Sequence, residues 1–471
     1  MYPFYRCVVK SFTLTAQTRR IFIMDTFQFS SDLDYERNIR DKNSHLNPII
    51  VIPGILGSKL VDQDSSHSIW GDFGKNFADP KSIKNLRKFA LPMQLHRPLH
   101  QLKSSTKADG SMRHAKGSIA GLPIQINTYA GLMEAMGVGA ESMGSSLKKL
   151  DDYIDDHRYH ANAFEFGYDW RKSMDENAIK LAEFIQQLTR FIQMHKGNHN
   201  PVKFDIVAHS MGGLIARYFL RYGEQLLPDN ALPVLNWAGS SQIERVVIIG
   251  TPNAGSLFAL ERLLVGFPST ALTPGYDPIV LGTMPAIYQL LPRLRHQTFK
   301  RSDGDDSSAN FLDVNFWIEM NWGLADKTKD TILAKLLPGI ETSKKRRETA
   351  LEHLEKCLKT ALNAQLSMDS YTLPPEHIKH FVFVGDNVPT PLVATAKKGD
   401  KKLTILKKGA GDGTVPRASV LFDDRVGSQW RAKIQSPLKW DNVIFLSSNH
   451  LGLTKDPICI KNILYTFLER P

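Results

Sequence analysis

Short, nearly unbroken apolar runs recur along this chain: PIIVI at 48–52, FDIVA at 204–208, ERVVIIG at 244–250, HFVFVG at 380–385 and a further run over 443–447. Their length and lack of polar alternation predict strands buried on both faces. Ala163–Phe166 is a shorter run of the same kind. Between them the period lengthens. Glu176–Met194 places Ile179, Phe184, Ile185, Leu188 and Ile192 on one helical face, and Gly212–Leu220 continues as a helix straight out of a strand. Asp456-Pro457 supplies a cap and first-turn pair for a closing helix through Phe467. Strands alternating with helices at this spacing predict an α/β class fold, a mostly parallel, doubly wound sheet flanked by helices.

The alternation breaks twice. Residues 67–150 carry turns and lysines without sustained strand alternation, with one helix expected near Tyr129–Met136. Residues 256–375 hold helical stretches, an apolar lobe over Phe311–Trp322 and the long run Lys344–Leu366. Both intervals exceed any plain connection and read as insertions, a lid at about 67–150 and a cap at 256–375. The sheet resumes at His380, with a hairpin around Lys401-Lys402. Residues 1–45 read as an N-terminal extension ahead of a domain spanning 46–471.

Composition narrows the class. At 471 residues, 42% hydrophobic and 23% charged, the chain has the balance of a globular enzyme with insertions. Its net charge of +11 suits anionic surfaces, but the cations are dispersed and no nucleic-acid motif is present, so no nucleic-acid partner is expected. Cys7, Cys357 and Cys459 form neither a disulfide framework nor a metal spacing. The acidic pairs at 151–152, 155–156, 305–306 and 423–424 read as solvated loop charges, so neither metal nor cofactor is expected. No window reaches the roughly 18 apolar residues of a membrane span, and the N-terminus lacks the apolar core of a signal peptide, with Met24 an alternative start. A cytoplasmic protein, free or peripheral at a membrane, is the expectation. Composition leaves the oligomeric state open.

The chemistry concentrates at Ala208-His209-Ser210-Met211-Gly212. A strand, small residues two before and two after a serine, and an immediate helix make a nucleophile elbow, with Ala in the first small position. The turn exposes the hydroxyl and aims the next backbone N–H, that of Met211, at a developing oxyanion. The strand at 48–52 ends in Pro53-Gly54-Ile55-Leu56-Gly57-Ser58, where such a fold places a second oxyanion donor, here the N–H of Ile55. In this fold the acid and then the histidine follow the serine along the chain. His450, just past a strand, is the one histidine after Asp412. The acid is Asp412 (in GDGTV) or Asp386 (in VGDN), both after strands, with Asp423, Asp424 and Asp441 less favoured. Trp70, in SIWGDF, is the candidate substrate-binding residue of the lid.

With these pieces assembled, the chain resembles the lecithin:cholesterol acyltransferase family of α/β-hydrolases, which includes lysosomal phospholipase A and phospholipid:diacylglycerol acyltransferase. The resemblance rests on VIPGILGSKL at 51–60, YDWR at 168–171, AHSMGG at 208–213, YQLLP at 288–292, GDGTVP at 411–416 and His450, in family order. It implies a Ser210, Asp412, His450 triad and favours Asp412 over Asp386, because the family's acid lies in its GD-G/D-TV element. It further implies a lipid acyl hydrolase or O-acyltransferase working through an acyl-serine on phospholipid or another long-chain ester. A lipase or esterase of neutral or small esters, or a catalytically inactive membrane-binding module, are the other readings. The elbow and GTPNAGS at 250–256 also resemble bacterial lipases. No cysteine lies between residues 8 and 356, so the disulfide-closed lid of secreted relatives is not carried over.

One surface element allows two outcomes. Lys344–Leu366 strings Leu351, Leu354, Leu358, Ala361, Leu362 and Gln365 along a helical stripe behind the cations Lys344–Arg347. A stripe of that kind either packs on a core or lies on an anionic bilayer. The basic run at a helix start, against the dipole, favours the bilayer, whereas charge runs in general are solvated faces.

Overall fold

The computed structural model describes residues 47–72, 81–119, 122–136, 163–196, 199–269, 274–303, 310–423 and 436–468. The expected N-terminal extension and the acidic pairs at 151–152, 155–156 and 305–306 lie outside these, as does Asp424.

The apolar runs become the strands β1 (Ile49–Ile52), β2 (Ala163–Glu165), β3 (Phe204–His209), β4 (Ile243–Ile249), β5 (Lys379–Gly385) and β6 (Asn442–Leu446). They form one six-stranded sheet in the order β6-β5-β4-β3-β1-β2, and every neighbouring pair is parallel. Every residue of β1 and β3 is buried, which is why these runs tolerate no alternation. The exception in β3 is Asp205, and it is paired. Arg245 on β4 donates to both its carboxylate oxygens at 3.0 and 2.6 Å and reaches the Phe467 carbonyl at 2.9 Å. That carbonyl belongs to the closing helix Pro457–Leu468, whose first turn is capped by Asp456. The strand order reverses at β1, with β2 on one side and β3 on the other. Such a switch point opens a crevice at the carboxyl ends of the strands.

Helix α1 (Met174–Lys196) and helix α2 (Met211–Tyr222) pack together on the sheet, and every residue of α2 is buried. Long helix α3 (Ser343–Asp369) ends against α2. There Arg217 and Tyr222 donate to the Met368 and Ser367 carbonyls at 3.3 and 2.6 Å, and Arg221 to that of Ser370. Cations gathered at a helix C-terminus are favoured by its dipole.

Two expectations change here. Residues 67–150 carry more strand than their pattern suggested: Ser68–Trp70 and Thr106–Ser111 flank Ser58–Asp62 in an antiparallel sheet, and His114–Ile119 pairs with Leu122–Asn127. Strands of three to six residues containing Gly, Pro and Lys do not hold an apolar alternation long enough to read. The stripe of α3 takes the packed outcome. Leu354, Leu358, Ala361 and Gln365 are buried and Leu351 is half-buried, while Leu362 is exposed, and α3 lies along the Pro285–Gln289 helix. Its basic start is partly explained too, since Arg346 meets Asp330 at 3.0 Å and Arg347 donates to the Ala325 carbonyl at 3.0 Å. Among the described residues no helix is long and apolar enough to cross a membrane.

Candidate active site

Ser210 occupies the turn between β3 and α2 with φ 53° and ψ −127°, a conformation that costs a non-glycine residue about 1–3 kcal/mol. The turn is held from below: the Ser210 N–H donates to the Ile249 carbonyl at 2.8 Å, and the Gly213 N–H to the Ser210 carbonyl at 3.0 Å. Both glycines of Met211-Gly212-Gly213 are steric requirements. A Cβ on Gly212 would lie 2.5 Å from the Pro53 carbonyl oxygen, and one on Gly213 would lie 2.0 Å from Thr251 Oγ1.

The residues predicted to act with Ser210 converge on it. His450 Nε2 is 2.9 Å from Ser210 Oγ, and His450 Nδ1 is 2.7 Å from Asp412 Oδ2. Facing a carboxylate, Nδ1 is the protonated nitrogen, which leaves Nε2 to accept from the serine hydroxyl. Asp412 Oδ1 accepts the N–H groups of Thr414 at 2.9 Å and Val415 at 2.7 Å, and the Asp412 carbonyl accepts the His450 N–H at 2.9 Å. The Asp412 side chain is wholly buried while that of His450 is 17% exposed, open on the serine side. Asp386 stands elsewhere: its carboxylate is held by Arg417 at 2.9 and 3.2 Å. Asp441 accepts the His380 N–H at 2.8 Å, and Asp423 lines a neighbouring cavity.

The loop Pro53–Gly57 passes directly beside the serine. A Cβ on Gly54 would sit 2.7 Å from Ser210 Cβ, so only glycine fits. Leu56 has φ 65°. Distant aromatic residues set this path. Tyr168 Oη donates to the Pro53 carbonyl at 2.9 Å, Trp70 Nε1 to that of Leu56 at 2.9 Å, and Trp170 Nε1 to that of Ser58 at 3.2 Å. Trp70, expected at the substrate, is 4% exposed in an aromatic cluster with Trp170, Phe89 and Tyr276, its one donor used on Leu56. The amides of Ile55 and Met211 have no acceptor among the described residues.

The family-like segments therefore have physical work around the site. In YDWR, Tyr168 and Trp170 clamp the loop after β1. Arg171, fully buried, is bidentate to Asp169 at 2.8 Å and donates to the Phe89 carbonyl at 2.9 Å, stapling the first insertion to the core. In YQLLP, Gln289 receives the Met174 N–H at 2.8 Å and donates to Ser173 at 2.6 Å, fixing the start of α1. Two residues beside the site carried no assignment from sequence. His209 lies inside the elbow motif, where the serine drew the reading, and its ring accepts from Tyr129 Oη at 2.8 Å. Tyr129 is remote in sequence and had no motif to mark it.

A cavity of about 310 Å³ lies behind the acid loop, lined by residues such as Ser256, Leu257, Leu392, Val393, Arg417 and Leu421, and neither Ser210, Met211 nor Ile55 borders it. Among the described residues no cluster of His, Cys, Asp and Glu has the arrangement of a metal site.

Comparison with known proteins bears on the fold and on the central segment of the chain. Residues 141–315 match the family model of lecithin:cholesterol acyltransferase. No curated protein matches the chain in sequence. Among solved structures, the chain is similar to one in the Tle4–Tli4 complex, with a TM-score of 0.56 and 14% identity over 89% of this chain and 97% of that one. Lower in similarity are the Bacillus licheniformis lipase BlEst2 (TM-score 0.30, 12% identity, 90% of this chain and 92% of that one) and lipase 1 from Pelosinus fermentans (TM-score 0.31, 13% identity, 88% and 94%). At 14% identity the first of these likenesses speaks to the fold alone. With its parallel sheet and its strand–turn–helix elbow after β3, this chain has an α/β-hydrolase fold, and its segment 141–315 is similar to the lecithin:cholesterol acyltransferase family.

Proposed function

We propose that the chain is a serine-dependent lipid acyl hydrolase or O-acyltransferase that works through an acyl-serine intermediate. The observation that carries this reading is the imidazole of His450 lying within hydrogen-bond distance of both Ser210 Oγ and the buried Asp412 carboxylate, at 2.9 and 2.7 Å. In this scheme His450 Nε2 takes the Ser210 proton as Oγ attacks the ester carbonyl, and Asp412 holds the ring and stabilises the imidazolium. The Ile55 and Met211 amides receive the oxyanion, each such donor being worth about 3 kcal/mol of barrier. His450 then returns its proton to the leaving alkoxide. Water or an alcohol, deprotonated by the same imidazole, attacks the acyl-serine and releases acid or a new ester. Every group this scheme uses is a side chain or backbone amide of this chain.

Long-chain lipid esters are the favoured substrate class because the family match and the two insertions, read as a lid over 67–150 and a cap over 256–375, suit a long acyl chain better than a small soluble ester. The test is to incubate the protein with mixed phospholipid vesicles, with and without a long-chain alcohol, and follow products by mass spectrometry. Lysophospholipid with free fatty acid is expected without alcohol, and the ester of the added alcohol with it if transfer competes with water. Turnover of p-nitrophenyl butyrate or triacylglycerol but of no phospholipid would move the assignment to a lipase or esterase. No turnover of any ester would leave a binding module.

A further inference from the structure

We propose that His209 and Tyr129 form a positioning pair that ties the oxyanion loop to the backbone of His450, a proposal that rests on the acyl-serine reading above. The ring of His209 is buried, 2% exposed, one residue before the nucleophile. Burial, with the His450 ring close by, holds it neutral well below the usual imidazole range. A neutral imidazole has one donor and one acceptor, so its two contacts must differ in sense. His209 Nε2 is 3.0 Å from the carbonyl oxygen of His450, which can only accept. Nε2 therefore carries the proton, and Nδ1 accepts from Tyr129 Oη at 2.8 Å. With its proton directed at His209, the Tyr129 oxygen accepts the Gly54 N–H at 2.9 Å. The chain of bonds has one direction throughout, from Gly54 N–H through Tyr129 and His209 to the His450 carbonyl.

Its two ends are the parts of the proposed mechanism that must stay in register. Gly54 precedes Ile55, the second oxyanion donor, and His450 is the general base. The middle is anchored. The Arg113 carbonyl accepts the N–H groups of Thr128, Tyr129 and Ala130 at 2.8, 3.2 and 3.3 Å, and Thr454 Oγ1, just past His450, donates to the Thr128 carbonyl at 3.0 Å. The turn at 128–129 thus touches both loops, while Ser210 is covalently next to His209. Both ring nitrogens of His209 are thus satisfied, and by groups on two different loops of the site.

Three variants separate the arms. Tyr129→Phe removes the oxygen that Gly54 and His209 share. His209→Asn keeps an acceptor near the Nδ1 position, and His209→Gln keeps an N–H near the Nε2 position. With p-nitrophenyl butyrate, Tyr129→Phe should lower kcat about 10–100-fold, the scale of a 1 Å misplacement, with KM within threefold of wild type. The Asn and Gln variants should each recover part of the activity that His209→Ala loses. Tyr129→Phe combined with His209→Ala should be little worse than the worse single variant, as members of one unit are. Should the variants fold poorly, ¹⁵N NMR of the wild-type His209 ring is decisive: Nε2 protonated and Nδ1 bare across the neutral range is expected, and the opposite tautomer overturns the pair. Wild-type turnover with Tyr129→Phe within twofold in kcat overturns the pairing alone. A wild type that neither turns over the ester nor reacts with a fluorophosphonate overturns the acyl-serine reading and the pairing with it.

Discussion

The loop carrying Asp412 and the loop carrying Ile55 flank the same serine, and they are held in opposite ways. The Asp412 carboxylate is set locally: Oδ1 takes the N–H groups of Thr414 and Val415, its own neighbours, and the other oxygen is left for His450. The backbone of the loop is tied to Thr390, Val388 and Ser256 through the Gly413 N–H, the Gly411 carbonyl and the Thr414 carbonyl. The loop carrying Ile55 has one internal bond, Gly57 N–H to the Gly54 carbonyl at 3.0 Å, and is otherwise tied to the side chains of Trp70, Tyr129 and Tyr168 and to the Met112 N–H. The difference teaches that the Asp412 carboxylate is oriented by its own turn, whereas the path of the Ile55 loop is oriented by side chains of other elements. Damage to the first should be chemical, and damage to the second conformational.

The largest effect expected is on the acid side. Asp412→Asn should lower turnover by roughly 10³–10⁴, as a wrong histidine tautomer does, with the fold intact. Asp386→Asn, which breaks a contact with the half-exposed Arg417, should leave turnover within about threefold, since surface ion pairs contribute at most about 1 kcal/mol. Steady-state kinetics and circular dichroism of the two variants check both. If Asp386→Asn proved the costlier, the local-loop account of the acid would be wrong.

Acid treatment gives a smaller effect that sharpens the same contrast. His209 and the structural histidines His353 and His380 are buried and neutral, the last two pushed down to about 4 by burial. Their folded values lie below the unfolded value near 6.5, so below 6.5 the unfolded chain binds protons that the native state does not. Their contribution is therefore complete above about 6.5 and is lost as pH falls toward 4. Each removes up to about 1.4 kcal/mol of stability per pH unit in that window. Buried Glu165 and Asp205, pushed up to about 7 and about 6 by burial, act in the opposite sense over this range. The check therefore compares denaturant melts of wild type and His353→Gln at pH 7, 6 and 5. Wild type should lose more stability than the variant as pH falls, and an equal loss would contradict the buried, neutral assignment.

Much of the architecture was legible because the strands at the centre of a parallel sheet are continuous apolar runs, and each run named in the sequence has its strand. Ser210 and His450 stand out in the sequence for the same local reason, each following a readable strand, whereas Asp412 and Asp386 both follow strands and only the family resemblance separates them. The first insertion was harder, because the strands of three to six residues between Ser58 and Asn127 have too few positions to hold a pattern. The stripe of α3 was visible but its partner was not, since a face that packs on Pro285–Gln289 and one that packs on lipid share a spacing. Trp70 was noticed as an aromatic residue in an insertion, but its burial against Trp170 and Tyr276 depends on residues about 100 and 200 positions away. Tyr129 and His209 escaped notice because hydrogen bonds between distant loops leave no periodicity.

The acyl-serine claim is tested most directly by reacting the protein with a fluorophosphonate probe and locating the label by peptide mass spectrometry, with Ser210→Ala in parallel. The account predicts a single covalent adduct, on the peptide containing Ser210, with labelling and ester turnover both abolished in Ser210→Ala while its melting profile stays close to wild type. A label on any other residue, or ester turnover that survives in Ser210→Ala, would contradict it.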